Sequence, residues 1–532
     1  MSREIRPKSG SIPTPAHIPV PYYFPIVPQR IQIPMPHVEQ YAALVAYSKE
    51  LAVLQSCSSL LGWDQQTYMP KGGAAFRGEQ LALLARLAHE QAIHPRYATL
   101  LNEVRGEFPE DTPEAANIRE WQRAYDRAIK LPEDLVEDLA RVTAAAHEAW
   151  VEARKANTYS TFQPHLETIL KLKREEAAAV RTPEHAHLYD ALLDEYEPGA
   201  SAYELRDLFA NLTAAVVPLV KAIGESTRQP DATILTRDYP VDRQKWFAES
   251  AASAFGFDFN AGRLDVTPHP FCSTIGPGDC RITTRYNPKF FNEAFFGVLH
   301  EAGHGLYEQN LPAEHFGTPL GSYCSLGVHE SQSRFWENQI GRSRPFWHGM
   351  LPRMKQAFPG TLDDVSLDSF EFAVNAVKPS LIRVEADEAT YNLHIAIRFE
   401  LELALITGDL QAAELPGAWN EKYKAYLGIA PTTDSDGCLQ DVHWSFGGIG
   451  YFPTYTLGNM LAAQLPRAMP NSDDAVRAGD FAGLKSWLTE NVHRHGRRYR
   501  ANELCTRATG QPLSPQPFVE YLAEKYGRLY GV

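Results

Sequence analysis

NPKFFNEAFFGVLHEAGHGLYEQN, residues 287–310, is the stretch that decides how this chain folds and what it carries. Phe291, Phe295, Val298 and Leu299 recur at three- and four-residue spacing, the period of a helix that buries one face. Asn287-Pro288 supplies a helix start, because proline's fixed φ suits a first turn. Inside the stretch lies HEAGH, from His300 to His304. Residues i and i+4 share a helix face, so the imidazoles of His300 and His304 can reach one ion. Glu301, one residue on from His300, projects to the side, where it can hold the ion's water instead of the ion. The bland alternative is an amphipathic helix with two surface histidines. The apolar run before His300 argues against it, because that run buries the helix.

A catalytic zinc takes three protein ligands and keeps one position open. The candidate for the third is Glu330, in LGVHESQSRFWENQIG (326–341), a second helical stretch. Glu308 is a rival, but it lies a full turn beyond His304 on the same helix, so its carboxylate is badly placed for the same ion. His329, beside Glu330, faces differently; it supports a ligand from behind, touches substrate, or simply packs.

Outward from this centre the pattern stays helical. VEQYAALVAYSKELAVLQSCSSLLGW (38–63), GEQLALLARLAHEQAIH (78–94), LPEDLVEDLARVTAAAHEAWVEARKAN (131–157) and FQPHLETILKLKREEAAAVR (162–181) all carry helix-period apolar residues. Two short stretches read as strands: ATILTRDYP (232–240), and CRITTRYN (280–287) with its β-branched residues between Gly278 and Pro288. No repeat or linker divides residues 38–532. The expectation is a single mainly α domain with a small β-sheet, preceded by an extension, residues 1–37. Proline is dense over 11–36, which rules out a helix there, and Met35 is an alternative natural start.

Bulk properties exclude several classes. The formal net charge is −14, from 51 basic and 65 acidic residues, which is wrong for a protein that must neutralise phosphates. No nucleic-acid partner is therefore expected. The six cysteines are scattered without a CxxC pair, which fits a reducing, cytoplasmic setting better than a disulfide framework. No run of eighteen apolar residues and no secretory pattern is seen, so no membrane partner is expected.

Several short motifs, in order, resemble the carboxypeptidase Taq family of metallocarboxypeptidases. They are His269-Pro270-Phe271, DCRIT (279–283), HEAGH (300–304), HESQ (329–332), IRVEAD (382–387) and GCLQDVHW (437–444), with LLGWDQQTYMPKGG (60–73) near the start. The resemblance runs from about residue 40 to the end, and the proline-rich extension is its main departure. It implies a large helical, saddle-like body with a deep substrate groove, akin to the angiotensin-converting-enzyme and neurolysin type. It further implies removal of single residues from free peptide C-termini with broad preference, zinc or in some members cobalt as the metal, and a homodimer. His300, His304 and Glu330 match the family's ligand positions, and Glu301 its catalytic glutamate.

The chemistry also needs a donor for the developing oxyanion. Tyr455, Tyr451 and His443 are candidates, since related grooved peptidases use a His and a Tyr downstream of the metal. A carboxypeptidase must also hold a terminal carboxylate, which suits arginine's planar fork. By resemblance Arg383 takes that role; on bare sequence an ion pair with Glu385 or Asp387 competes. His269 and the strand around Arg281–Thr283 are expected beside the substrate, the strand through backbone hydrogen bonds. Gln440 is expected at the substrate or, with Asp441, orienting His443 or a ligand. Two rivals remain: an endo-acting oligopeptidase, which would lack the carboxylate-binding arginine, and a non-catalytic scaffold, which would have lost Glu301 or a ligand.

Overall fold

A computed structural model describes residues 37–470 and 472–532. The proline-rich stretch 11–36 and Met35 lie outside the described residues.

Helices dominate, as the periodicity predicts. The four stretches read as helical lie in His37–Thr67, Ala74–Ala92, Glu133–Ala156 and Tyr159–Val180. Asn157 closes the third in the left-handed conformation that asparagine tolerates. One helix, Ala202–Glu225, is long and apolar enough to cross a membrane by length and composition alone. Its Leu205, Phe209, Leu212, Val216 and Val220 are buried in a protein core.

Two large apolar cores organise the chain. One gathers residues from Ala146 to Ile223 with Leu393–Phe399, Trp419, Trp444 and the C-terminal Phe518–Tyr530 region. The other gathers Ile234–Phe257, Phe291–Tyr307, Phe335, Trp347 and Leu484–Cys505. The helix Pro453–Ala468 serves both: Leu457, Met460 and Ala463 face the first core, Leu461, Ala462 and Leu465 the second. Residues on either side of it are therefore held in a fixed relation.

The sheet is small: β1 (Gly262–Val266), β2 (Cys272–Gly276) and β3 (Asp279–Thr284), in the order β1-β3-β2. β3 pairs parallel with β1, Gly262 opposite Cys280, and antiparallel with β2, Cys272 opposite Ile282. Of the expected strand 280–287, residues 280–284 are present and central. Its position corrects one expectation: both edges of β3 are paired, so its backbone cannot bond an extended substrate. The strand expected over 232–240 is absent. Ala232–Thr236 forms a 3₁₀ turn instead, because the Asp231 carboxylate accepts from Thr233 N at 3.0 Å and fixes a local turn.

The decisive helix starts three residues later than Asn287-Pro288 suggests, at Phe291. Asn287 uses its side-chain oxygen to accept from Lys289 N (2.9 Å) and its carbonyl to accept from Phe290 N (3.1 Å). That turn is complete in itself and delays the helix. Phe291, Phe295 and Phe296 then bury fully against Phe247, Phe346 and Trp347, and each such ring contributes roughly 2–3 kcal/mol of burial. They anchor the helix that carries HEAGH.

Candidate metal centre

Three ligand-capable side chains converge. His300 and His304 come from the helix Phe291–Gln309, Glu330 from the helix Leu326–Arg334. Their nearest ligand atoms all lie within 4.8 Å of one another. The two Nε2 atoms are 3.2 Å apart, and Glu330 Oε2 lies 3.7 Å from His300 Nε2 and 3.6 Å from His304 Nε2. A first-row dication bound tetrahedrally at about 2.1 Å holds its donors about 3.4 Å apart, so this triangle has the right size.

The protonation pattern makes the same demand. His300 Nδ1 donates to Glu337 Oε2 at 3.0 Å. His304 Nδ1 lies 3.1 Å from the His329 carbonyl and 2.6 Å from His329 Nδ1. With both Nδ1 atoms bonded as donors, both Nε2 atoms present lone pairs to each other and to a carboxylate oxygen. In that neutral form three acceptors face one point, an arrangement that a cation fills. Burial and the neighbouring His329 and His300 hold His304 well below the usual imidazole range, in the neutral form a ligand needs. At His300 burial pulls the same way, but Glu330 and the Glu337 hydrogen bond outweigh it and raise the value.

Close approach of the two helices needs glycine. A Cβ on Gly303 would stand 2.5 Å from the Gln332 carbonyl and 2.6 Å from Ser333 Cα. From the other side, a Cβ on Gly458 would meet Glu330 Cβ at 2.6 Å and Cγ at 2.7 Å. Gly458→Ala is therefore expected to push the Glu330 side chain off the triangle. Competition titration with a chelating dye should show divalent-metal affinity lowered about 10–100-fold, the range for disturbed ligand support. Unchanged affinity would mean that Glu330 does not depend on this contact.

Glu301 is buried, and no protein donor reaches its carboxylate among the described residues. Burial pushes it up to about 7; His300 opposes this while Glu330 and Glu337 add to it. A cation on the triangle would pull it down again. Glu308, the rival ligand, turns away and accepts from His329 Nε2 at 2.9 Å. His329 thus stands between Glu308 and His304.

The other expected residues divide. Tyr451 and Tyr455 are half-buried neighbours, ring centres 5.4 Å apart, at the start of the helix Pro453–Ala468, and both sense the Glu330 charge. His443 packs on Tyr451 (5.2 Å) and Phe452 (4.5 Å). Its Nδ1 is 3.9 Å from Asp441, too long for a hydrogen bond. Burial pushes it down to about 4, so it is neutral at pH 7.

Arg383 pairs with neither Glu385 nor Asp387. Its Nε and Nη2 donate to Asp441 Oδ1 at 2.9 and 2.7 Å, and Nη1 donates to Tyr391 Oη at 3.0 Å. Of its five N–H groups, one remains on each terminal nitrogen. Gln440 corrects the expectation of substrate contact: its oxygen accepts from Arg383 N (2.9 Å) and Arg398 Nη2 (2.8 Å), and its amide donates to Leu381 O and Asp436 O. It is a buried strut for Arg383. Arg281 is likewise elsewhere, bidentate on Asp279 and stacked 4.1 Å over Trp63, tying the N-terminal helix to the sheet. His269 lies exposed in the bend between β1 and β2, and no contact places it at the triangle. Sequence reasoning missed Glu337; its only signal was a spacing of seven from Glu330, two helical turns on, and it lies in a π-helical turn over Phe335–Ile340 where it accepts from His300.

A two-histidine, one-glutamate triangle with a free buried glutamate beside it is the site of a metal-dependent hydrolase. Comparison with known proteins makes this particular. A sequence model described as carboxypeptidase Taq (M32) metallopeptidase matches residues 43–526. Thermostable carboxypeptidase 1 of Thermus thermophilus is 48% identical over 505 residues, covering 92% of this chain and 99% of its own. Carboxypeptidase 1 of Bacillus subtilis is 40% identical over 489 residues, covering 91% and 97%. The crystal structure of an M32 carboxypeptidase from Deinococcus radiodurans superposes with a TM-score of 0.90 at 41% identity, covering 93% of this chain and all of that one. The chain belongs to the carboxypeptidase Taq (M32) family of metallopeptidases, and it is a peptide hydrolase that requires a divalent metal.

Proposed function

We propose that the chain is a zinc-dependent carboxypeptidase that releases single residues, with broad preference, from peptides with a free C-terminus. The observation that carries this is the triangle of His300 Nε2, His304 Nε2 and Glu330 Oε2. Those three residues hold the metal, zinc or cobalt, which when bound acts as a Lewis acid and makes water acidic near neutral pH. Glu301, with no protein donor on its carboxylate, takes the proton from the attacking water and returns one to the leaving amine. Tyr455, Tyr451 and neutral His443 are the donors for the carbonyl oxygen as it gains charge, and Tyr455 is the donor of choice because its ring lies 5.3 Å from the Arg383 guanidinium that takes the carboxylate. Arg383 receives the terminal carboxylate on its two remaining N–H groups. The expected homodimer and cytoplasmic setting stay part of this reading; the six unpaired cysteines fit a reducing compartment.

The deciding experiment uses an N-blocked tripeptide with a free or an amidated C-terminus, with and without a chelator. Stepwise release by mass spectrometry is expected only from the free acid, lost with chelator and restored by zinc or cobalt. Equal cleavage of the amide would replace this reading with an endo-acting one.

A further inference from the structure

The carboxylate of Glu330 has two oxygens, and only Oε2 faces the histidines. Oε1 accepts from Arg334 Nε at 2.7 Å. Arg334 lies one helical turn on from Glu330, so its guanidinium reaches back along the same helix face. Its Nη1 is 3.2 Å from Glu337 Oε2, the oxygen that also accepts from His300 Nδ1. Arg342 Nη2 approaches the other oxygen of Glu337 at 3.3 Å. The guanidinium itself lies 4.6 Å over the ring of Tyr391, which fixes its plane. The result is a closed ring: His300, Glu337, Arg334, Glu330, and back to His300 across the ligand triangle. All four side chains are at least largely buried.

From this ring we infer that Arg334 is a positioning residue that makes Glu330 a one-oxygen ligand and locks the rotamers of Glu330 and His300 together. The inference rests on the metal assignment above and deepens it. The physical reason is competition. A free carboxylate beside a small dication can bind through both oxygens, which raises the coordination number and crowds the position that water and the scissile carbonyl must use. A charge-assisted hydrogen bond on Oε1 withholds that oxygen. Arg334 and Arg342 also offset the charges of Glu330 and Glu337, so a bound dication keeps most of its own charge for polarising a carbonyl. Lysine cannot replace arginine, because a point charge cannot reach Glu330 and Glu337 together in one plane.

The test is cobalt substitution of Arg334→Gln and Arg334→Lys, with Glu330→Gln as the control on the metal assignment. Cobalt bound with four ligands absorbs strongly in the visible, and added ligands weaken the band. Both Arg334 variants should show a weakened, shifted band, the signature of a second Glu330 oxygen on the metal. Arg334→Gln leaves the buried Glu330 carboxylate without its arginine; if it does not fold, Arg334→Lys alone decides. A parental spectrum in folded Arg334→Lys would overturn the inference. Failure of the metal assignment looks different: Glu330→Gln would then leave cobalt affinity unchanged.

Discussion

Glu301→Gln should hold its divalent metal as tightly as the parent and hydrolyse peptides about 10²–10⁴-fold more slowly, the usual contribution of a positioned general base. Glutamine keeps the shape and removes the proton acceptor. The surroundings of Glu301 make the substitution clean: no protein donor reaches its carboxylate, so no native hydrogen bond is broken, and burial already favours its neutral form. Stability should stay equal or rise, because an uncompensated buried charge is removed. The discriminating measurement is kcat with KM alongside metal content. A fall in kcat with KM near the parent's would place Glu301 in the transition state alone. Activity within a few-fold of the parent, at full metal content, would sink the general-base assignment.

How much of this was legible in the chain depends on the reach of the signal. The HEAGH pair was legible because i and i+4 geometry is local and helix period is written in the apolar residues around it. Glu330 was legible only as a candidate, since nothing local says that the helix Leu326–Arg334 lies against the helix Phe291–Gln309. The glycines that permit the contact, Gly303 and Gly458, look like any others until an added Cβ is seen to meet the Gln332 carbonyl at 2.5 Å from the first and the Glu330 side chain at 2.6 Å from the second. Glu337 stands two turns on from Glu330, but nothing local says that His300 lies against that face. Arg281 misled because a β-rich motif reads the same at the centre of a sheet as at its edge, and only the order β1-β3-β2 tells them apart. For 232–240, local turn chemistry at Asp231 overrode β-branched composition.

Asp441→Asn should lower stability by about 3–5 kcal/mol, read as a lower urea midpoint at pH 7. Asp441 is the one carboxylate between two buried arginines. Its Oδ1 accepts from Arg383, and Oδ2 accepts from Arg398 Nε at 2.6 Å. Arg398 is fully buried, and its other bonds go to the His394 carbonyl, Tyr423 and Gln440, none of them charged. Asparagine would leave two guanidinium charges without a counter-ion and turn an amide N–H₂ toward one of them. Burial alone would raise the Asp441 carboxyl, but Arg383 and Arg398 hold it far below the usual range. With the folded value depressed, the carboxylate's contribution is complete above the unfolded value of about 3.9 and is lost only as pH falls through the folded one. The gap between parent and variant should therefore be flat from pH 6 to 8. Arg383 also links this network to Tyr455, whose ring lies 5.3 Å from its guanidinium, so the variant should lose activity under conditions where it is still folded. Parental stability at pH 7 would show that the two arginines are neutralised by something other than Asp441.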